Sequence, residues 1–392
     1  MAAPERGGWL WRPLLGASLS QIVLFAVRPA ASYAGLELGA DPATIGIIAA
    51  SFAVLPMLIA LPLGAFAGRL SRIAIVPFFS GMLLIAACIV GAMATTLAAL
   101  IVACALVGVS NLGVLLGAQA WISRSAPAAA YNDGFGWMTA GMALGQAVGP
   151  LLAGFTVGPV NPTREGISLT FSLCAVLAVP VAAVFASGAV RRYGSPGSDD
   201  AAGFGAILRT PGVTRSIVVS AAVLTSVDIL TAYLPVLGAQ AGISPVVVGS
   251  MLAVRGISSM LSRLLLGPLG RRVGQRVLLV TSVLGAAICL AVIAALPAPA
   301  VMFSALAIGG FLLGMGQPLT MTAVAVALPA RQRSSGLAMR LLGNRVAQLA
   351  TPLFAGAVAS AFGVASVMVV QVAALTASGI WEAAVRDPPG ED

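Results

Sequence analysis

Long apolar runs alternate with short polar segments along the whole chain. Each run is about 20 residues long, which is the length that an α-helix needs to cross a bilayer. The predicted spans are 13–35, 43–65, 73–93, 97–119, 135–157, 167–189, 213–236, 245–267, 276–296, 299–323, 336–359 and 363–385. The pattern therefore predicts an all-α membrane protein with about twelve transmembrane helices.

The two halves of the chain resemble each other. Four residues of one stretch recur 202 residues later: Gln146, Pro150, Ala153 and Gly154 match Gln348, Pro352, Ala355 and Gly356. A second pair of stretches, beginning at Gly64 and at Gly267, shares an offset of 203 residues. Two stretches with nearly the same offset indicate a duplication. We therefore expect two six-helix pseudo-repeats: an N-terminal lobe at 1–190, a cytoplasmic central loop at 191–212, and a C-terminal lobe at 213–392.

Composition excludes several classes of function. Only 8% of the residues are charged and 59% are hydrophobic, whereas soluble domains are about 25% charged. The net charge is +9, but the arginines are scattered over short loops and form no basic face, so we expect no nucleic-acid partner. Histidine is absent and the four cysteines lie in apolar runs, so we expect no metal site and no cofactor.

The arginines predict the orientation. With both termini on one side of the membrane, the loops on that side hold fifteen of the 21 arginines and the opposite loops hold only Arg164. This asymmetry is typical of proteins that follow the positive-inside rule. It places both termini and Ser195–Asp200 in the cytoplasm, and Pro159–Gly166 outside. The tryptophans at 9, 11, 121, 137 and 381 fall near the predicted membrane interfaces, where we expect them to act as anchors.

The fifth predicted span has an unusual glycine pattern, GWMTAGMALGQAVGPLLAG, from Gly136 to Gly154. Residues 141, 145 and 149 are four apart and share one helical face, which lets a second helix approach closely. Pro150 is expected to kink the helix. The spacing of Gly136, Gly145, Gly149–Pro150 and Gly154 resembles the antiporter motif on the fifth helix of exporters of the major facilitator superfamily, with Ala153 where that family has Gly.

Two further stretches, GAFAGRLSR and GPLGRRVGQR, resemble the signature loop of the same superfamily and its copy in the second half. The residues that carry this resemblance are Gly64, Arg69, Arg72, Gly267, Arg271, Arg272 and Gly274. The family usually has Asp where this chain has Gly68 or Arg271, and an Arg in helix 4 where this chain has Cys104. The chain therefore resembles a bacterial twelve-helix transporter of this superfamily that lacks the usual acid–base latch.

Ionisable groups inside membrane spans are costly and mark candidate functional sites. Arg28 and Asp228 lie at matching depths in spans 1 and 7, about 22 Å from the cytoplasmic end. The resemblance implies that both helices line the transport cavity, where the two side chains could face each other. Because histidine is absent, Asp228 is the candidate proton-coupling group. The substrate-cavity candidates are Arg28, Asn111, Gln146, Tyr233, Arg255, Gln317, Asn344, Arg345 and Gln348.

The sequence favours a secondary transporter of a small organic solute that works by alternating access. We expect proton-coupled export by antiport, with a bilayer, a small-molecule substrate and protons as partners, from a monomer in the bacterial cytoplasmic membrane. The alternative is uptake of an organic anion, which the excess of Arg28, Arg255 and Arg345 over Asp228 favours. A second alternative is a transport-inactive receptor or scaffold on the same fold. A membrane enzyme is disfavoured because no nucleophile–base pair or paired carboxylates are evident.

Overall fold

Twelve long helices make up the described part of the chain in this computed structural model, which describes residues 10–69, 72, 74–125, 131–186, 208–210, 212–329 and 332–384. The helices are α1 Trp11–Glu37, α2 Pro42–Arg69, α3 Ile75–Ala92, α4 Leu97–Ser125, α5 Tyr131–Val157, α6 Arg164–Ala186, α7 Val213–Gln240, α8 Pro245–Val273, α9 Gln275–Ala295, α10 Pro299–Ala327, α11 Arg333–Phe362 and α12 Ser366–Ala384. Among these residues there is no strand. The all-α, twelve-helix prediction is confirmed, and each predicted span overlaps one described helix.

Eleven of the described helices are long and apolar enough to cross a membrane, and α11 is the exception. The reason lies in its buried face, where every fourth residue from Gly336 points inward: Arg340, Asn344, Gln348 and Pro352 are all buried. Its apolar side chains, among them Leu341 and Phe354, are exposed instead. The polar interior face lowers the average hydropathy of a helix that is nevertheless 30 residues long.

The described chain divides into two compact units. In the unit formed mainly by residues 51–196 with 1–40, α1 packs against α4, α5 and α6, and α3 packs against α4 and α6. In the unit formed mainly by residues 254–392 with 197–241, α7 packs against α10, α11 and α12, and α9 packs against α10 and α12. We call these unit 1 and unit 2. Each contact of unit 1 recurs in unit 2 six helices later.

Two helices contribute to both units. Residues 41–50, which open α2, belong to unit 2, and residues 242–253, which open α8, belong to unit 1. The two units therefore exchange these short segments, whereas the predicted lobes are continuous, at 1–190 and 213–392. The predicted lobe boundaries stay predictions. The predicted central loop, 191–212, lies outside the described residues except for 208–210 and 212.

Glycine allows the opening turns of α2 to pack closely against α11, and those of α8 to pack closely against α5. A Cβ atom on Gly46 would overlap the carbonyl oxygen of Pro352 and lie 3.1 Å from the Cα of Gly356, both on α11. At the matching place in unit 1, a Cβ atom on Gly249 would lie 2.5 Å from the carbonyl oxygen of Pro150 and 2.9 Å from the Cα of Gly154. Small residues that permit such backbone contact are typical of helix pairs in membranes.

The first turn of α2 is capped by Asp41. The carboxylate accepts a hydrogen bond from the backbone N–H of Thr44 at 2.8 Å. The hydrogen bonds from the side chain and backbone of Thr44 hold the pKa of Asp41 below its usual value. The backbone N–H of Ala43 is in turn satisfied by Ser360 Oγ at 3.0 Å. The free N–H groups of this helix end therefore have partners inside unit 2.

Candidate transport site

A carboxylate, an amide and a guanidinium form a chain between α7 and α11 of unit 2. Gln348 Nε2 donates to Asp228 Oδ2 at 2.7 Å, and Gln348 Oε1 accepts from Arg345 Nη1 at 3.0 Å. Asp228 is 9% exposed, so its carboxylate is nearly removed from solvent. The sequence singled out all three residues, and the structure places them together. A single neutral amide thus contacts both an acidic and a basic group.

A second polar cluster lies on the same two helices and α10, one turn nearer the start of α11. Ser220 Oγ donates to Asn344 Oδ1 at 2.9 Å, and Gln317 Nε2 donates to the backbone carbonyl of Ser220 at 2.8 Å. Arg340 Nη2 donates to Gln317 Oε1 at 2.6 Å and to the Gln317 backbone carbonyl at 2.9 Å. The guanidinium of Arg340 also donates to Thr320 Oγ1. Arg340 therefore points into unit 2 and holds α10 against α11.

Arg255, the third predicted cavity arginine, lies on α8 and is 1% exposed. The packing around it is close, because a Cβ atom on Gly310 of α10 would lie 2.5–3.0 Å from the backbone of Arg255. The Arg255 side chain is thus removed from solvent within unit 2, and its role in the substrate cavity stays a prediction.

In unit 1, Arg28 lies over two aromatic rings. Its Cζ atom is 5.5 Å from the ring centroid of Phe25 and 5.5 Å from that of Phe52. Two turns earlier on α1, Ser20 Oγ accepts a hydrogen bond from Asn111 Nδ2 of α4 at 2.8 Å. Gln146, on α5, is half-buried. The predicted pairing of Arg28 with Asp228 stays a prediction.

Tyr233, another predicted cavity residue, contacts backbone. Its hydroxyl donates to the carbonyl oxygen of Pro42 at 3.0 Å within unit 2. A Cβ atom on Gly46 or Gly356 would lie 2.9–3.0 Å from the same hydroxyl. Tyr233 thus fills the space that these glycines leave and joins α7 to the first turn of α2. The related Tyr33 of α1 is also buried, and its hydroxyl has no hydrogen-bond partner among the described residues.

Comparison with known families decides the class of protein. The profile of the Major Facilitator Superfamily matches residues 14–239 and 216–392. The chain belongs to this superfamily. It is a multi-pass membrane protein of a family whose members transport solutes. No curated protein matches the chain.

Solved structures of superfamily members share the fold. A bacterial homologue of the human lysosomal transporter Spinster, in an inward-facing, unoccupied conformation, is 16% identical with a TM-score of 0.77, covering 97% of each chain. The nucleoside transporter NupG, as a D323A mutant, is 14% identical with a TM-score of 0.79, covering 96% of this chain and 99% of its own. A peptide transporter POT in complex with sulfate is 17% identical with a TM-score of 0.76, covering 97% of this chain and 96% of its own. These identities establish the fold alone.

The glycine-rich stretch of α5 packs against α1. A Cβ atom on Gly149 would lie 2.7–2.8 Å from backbone atoms of Ile22, Phe25 and Ala26. A Cβ atom on Gly145 would meet Gln21 equally closely, whereas one on Gly136 would meet nothing within 4 Å. The sequence predicts helix 8 or a neighbour in the same half as the helix that crosses at Gly145 and Gly149. At these two glycines the close partner is α1, and further along α5 the opening turns of α8 approach Gly154, where a Cβ atom would lie 2.8 Å from the carbonyl oxygen of Pro245.

The two stretches that resemble the signature loops of the superfamily lie at helix ends. Gly64 and Arg69 belong to the end of α2, where side chains lie outside the described part of the structure, and Arg72 follows as an exposed residue. In the second copy, Gly267, Arg271 and Arg272 close α8 and are exposed. Gly274 joins α8 to α9 with a φ of 86°, which only glycine adopts easily.

Sequence reasoning missed one buried ion pair. Arg215 Nε donates to Glu382 Oε2 at 2.6 Å, with the two side chains 7% and 6% exposed. Arg276 Nη2 also donates to the backbone carbonyl of Glu382 at 2.9 Å. Both residues lie near the ends of predicted spans, where charged side chains are usually solvated, so the sequence did not single them out. Their opposite charges, in the first turn of α7 and the last turn of α12, could have indicated an ion pair.

The prediction that Trp121 anchors the protein at a membrane interface is wrong. Trp121 is 5% exposed and packs against Phe185 at a centroid distance of 5.9 Å. Arg12 covers its ring at 5.8 Å. Trp11, Trp137 and Trp381 are exposed, so their role as anchors stays a prediction, and Trp9 lies outside the described residues. Position along a helix gives the depth of a residue but not the side of the helix on which it lies.

Proposed function

We propose that the chain exports a small organic solute from bacterial cells in exchange for protons, with Asp228 as the proton-carrying group. The observation that carries this proposal is the Asp228–Gln348–Arg345 chain between α7 and α11. A proton-coupled carrier needs a group that changes protonation during transport. A carboxylate that is nearly removed from solvent in a membrane-spanning helix is such a group.

Gln348 links the protonation of Asp228 to Arg345. With Asp228 ionised, the amide N–H donates to the carboxylate and the amide oxygen accepts from Arg345. A protonated Asp228 has a hydroxyl donor of its own, which requires an acceptor. If the amide turns to accept it, the amide oxygen leaves Arg345. Protonation thus changes the hydrogen bond between Gln348 and Arg345, one turn away on α11, which gives the carrier two arrangements of the same amide.

Export and orientation are supported by different residues. The glycine pattern of α5 resembles that of the superfamily's exporters, and in unit 1 these glycines carry a close contact with α1. The arginine asymmetry supports cytoplasmic termini in a bacterial cytoplasmic membrane. Under this orientation, the first turn of α1 and the last turn of α12 lie at the cytoplasmic face.

The test uses proton movement as its readout. Purified protein is reconstituted in vesicles that enclose a pH-sensitive dye, and a panel of small organic solutes is added under an imposed pH gradient. We expect at least one solute to drive proton flux through the unaltered protein. Asp228→Asn should abolish that flux but leave solute-for-solute exchange, because the amide mimics the neutral acid and cannot release a proton.

Glu37→Gln serves as the matched control, since it removes a carboxylate at the exposed end of α1. It should leave proton flux unchanged. Solute-driven proton flux that persists in Asp228→Asn would place the coupling group elsewhere. A protein that moves solute without any proton flux would be a facilitator or would use another ion.

A further inference from the structure

Two arginines inside the helices of unit 2 lack an acidic partner. Arg340 of α11 is 5% exposed, and Arg263 of α8 is half-buried, with an Nε atom that is buried and makes no hydrogen bond. Neither guanidinium forms an ion pair with a residue that the structure describes. Arg340 lies about 10 Å from the start of α11 and Arg263 about 15 Å from the end of α8. A charge at such depth is costly and marks a candidate functional site.

The described carboxylates of unit 2 have other partners. Asp228 accepts a hydrogen bond from Gln348, and Glu382 accepts one from Arg215. Asp41 caps the first turn of α2. In the described part of unit 2, no carboxylate is therefore paired with either of the two arginines, and their counterion can come from a bound anion.

The guanidinium of Arg340 is oriented by neutral groups and keeps one nitrogen available. Its Nε and Nη2 atoms donate to Thr320 Oγ1, and Nη2 also donates to both oxygens of Gln317. Nη1 donates to no described residue, and it is not one of the buried atoms that lack a partner. These contacts direct the side chain into unit 2, away from the membrane interface, and leave its positive charge unbalanced.

Arg263 lies at the same level of α10 as these contacts. A Cβ atom on Gly314 of α10 would lie 2.7 Å from the backbone of Ser259 of α8, and Gly310 makes the corresponding contact one turn earlier in both helices. The two helices therefore run in the same direction. Arg263 is four residues after the buried Ser259 and so shares its face of α8. One turn beyond the Gly314 contact, Arg263 reaches the level of Gln317.

We propose that Arg263 and Arg340, at the level of Gln317, bind the anionic part of the transported solute, and that this solute carries two negative charges, as an organic phosphate or a dicarboxylate does. Two guanidiniums balance two negative charges, whereas a monocarboxylate would leave one cation without a counterion. The planar fork of arginine matches the oxygens of both phosphate and carboxylate groups. This assignment rests on the proposed function, which provides that a solute enters the carrier, and it adds the charge class of that solute.

Binding to the full-length purified protein in detergent tests this assignment without transport. The probes are phenyl phosphate and phthalate as dianions, benzoate as a monoanion and benzamide as a neutral compound, all in mildly alkaline buffer at equal ionic strength. The readout is the ligand-dependent rise in Tm. We expect at least one dianion to raise Tm, benzoate to raise it less at the same concentration, and benzamide to have no effect.

Substitutions of the two arginines test who binds the charge. Arg263→Gln and Arg340→Gln should each weaken the affinity for the dianion by about 10- to 100-fold, the range that a charge-assisted hydrogen bond gives. Arg263→Gln should also remove the preference for the dianion over benzoate, whereas Arg263→Lys keeps the charge and should retain that preference. Arg209→Gln is the matched control, since it removes an exposed arginine that precedes α7. It should bind the dianion normally.

The ligand-free variants separate a binding role from a structural one. Because Arg263 makes no hydrogen bond with a described residue, Arg263→Gln removes only an unpaired charge and should not lower the Tm of the ligand-free protein. A structural role for Arg263 requires a lower Tm. Arg340→Gln loses the contacts with Gln317 and Thr320 and should be less stable. If it does not fold, the two Arg263 variants decide.

Three outcomes would overturn the assignment: no dianion raises Tm, benzoate raises it as much as the dianions do, or Arg263→Gln binds the dianion as well as the unaltered protein. Phosphatidic acid mixed into the detergent micelles tests a lipid as the source of the anion. A rise in Tm with this lipid, and none with the soluble dianions, would also overturn it. Dianion binding that depends on Arg263 but is accompanied by no proton flux would refute the proposed coupling and leave the solute class intact.

Discussion

Arg12 and Arg215 lie 203 residues apart, in the first turns of α1 and α7, and each unit accommodates its arginine differently. Arg12 stacks on Trp11 and Trp121 in unit 1, whereas Arg215 forms an ion pair with Glu382 in unit 2. Both arrangements allow an arginine to lie against apolar helices. The indole rings stabilise Arg12 by cation–π contacts, and the carboxylate of Glu382 stabilises Arg215 by its opposite charge. At the residue scale, the repeated position keeps its arginine while the partner changes.

The Arg215–Glu382 pair should respond strongly to the loss of one member. Glu382→Gln or Arg215→Gln leaves the other charge buried without its counterion, which typically costs about 3–5 kcal/mol. Replacing both residues by Met removes both charges and should restore much of the stability. Unfolding of the purified protein by denaturant measures the three variants. Single variants within about 1 kcal/mol of the unaltered protein would mean that water or another residue replaces the lost partner.

Several site residues could be predicted because a polar or charged side chain inside a membrane span is costly and therefore indicates a functional site. Asp228, Arg345 and Gln348 were singled out in this way, and the structure joins them. Glu382 was missed because a carboxylate near a span end is usually solvated, and nothing local in its sequence reveals that Arg215 covers it. Contacts between distant helices depend on helix rotation and packing, which one sequence read alone specifies poorly.

Helix α11 is a single element whose length was predicted but whose average hydropathy falls below that of the other described helices. Its span was predicted at 336–359 and the helix extends over Arg333–Phe362, yet it lacks the apolar average of the other described helices. Arg340, Asn344 and Gln348 occupy its buried face and bind α7 and α10. Such a helix is apolar outside and polar inside, the reverse of a surface helix in a soluble protein.

The contact between α5 and α1 should be intolerant of even one methyl group. Gly149→Ala places a Cβ atom 2.7–2.8 Å from backbone atoms of α1, and overpacking of this kind costs about 1–3 kcal/mol. We expect a lower Tm in detergent and a lower transport rate in vesicles. Gly136→Ala, on the same helix but with nothing within 4 Å, is the control and should behave like the unaltered protein. Equal behaviour of the two variants would show that α5 does not need this close approach.

At the scale of the whole molecule, duplication is visible in the packing of each unit. Within unit 1, α1 packs against α4, α5 and α6, and within unit 2, α7 packs against α10, α11 and α12. The sequence revealed this relationship only through short matching stretches, because most apolar positions accept several residues of similar size. Glycines and prolines are more restricted, which is why Pro150 and Pro352, with their flanking residues, still align.

The orientation of the whole chain in the membrane can be tested with two introduced cysteines. The positive-inside rule places Ser198 in the cytoplasm and Val160, an exposed residue between α5 and α6, outside. The native cysteines at 88, 104, 174 and 289 are buried, so the background should be low. In intact cells, Val160→Cys should react with a membrane-impermeant maleimide and Ser198→Cys should react only after the cells are opened. The reverse labelling pattern would mean that the orientation is opposite to the one predicted, with the first turn of α1 outside the cell. It would also remove the basis for export as the direction of transport, while leaving the proton group at Asp228 open to its own test.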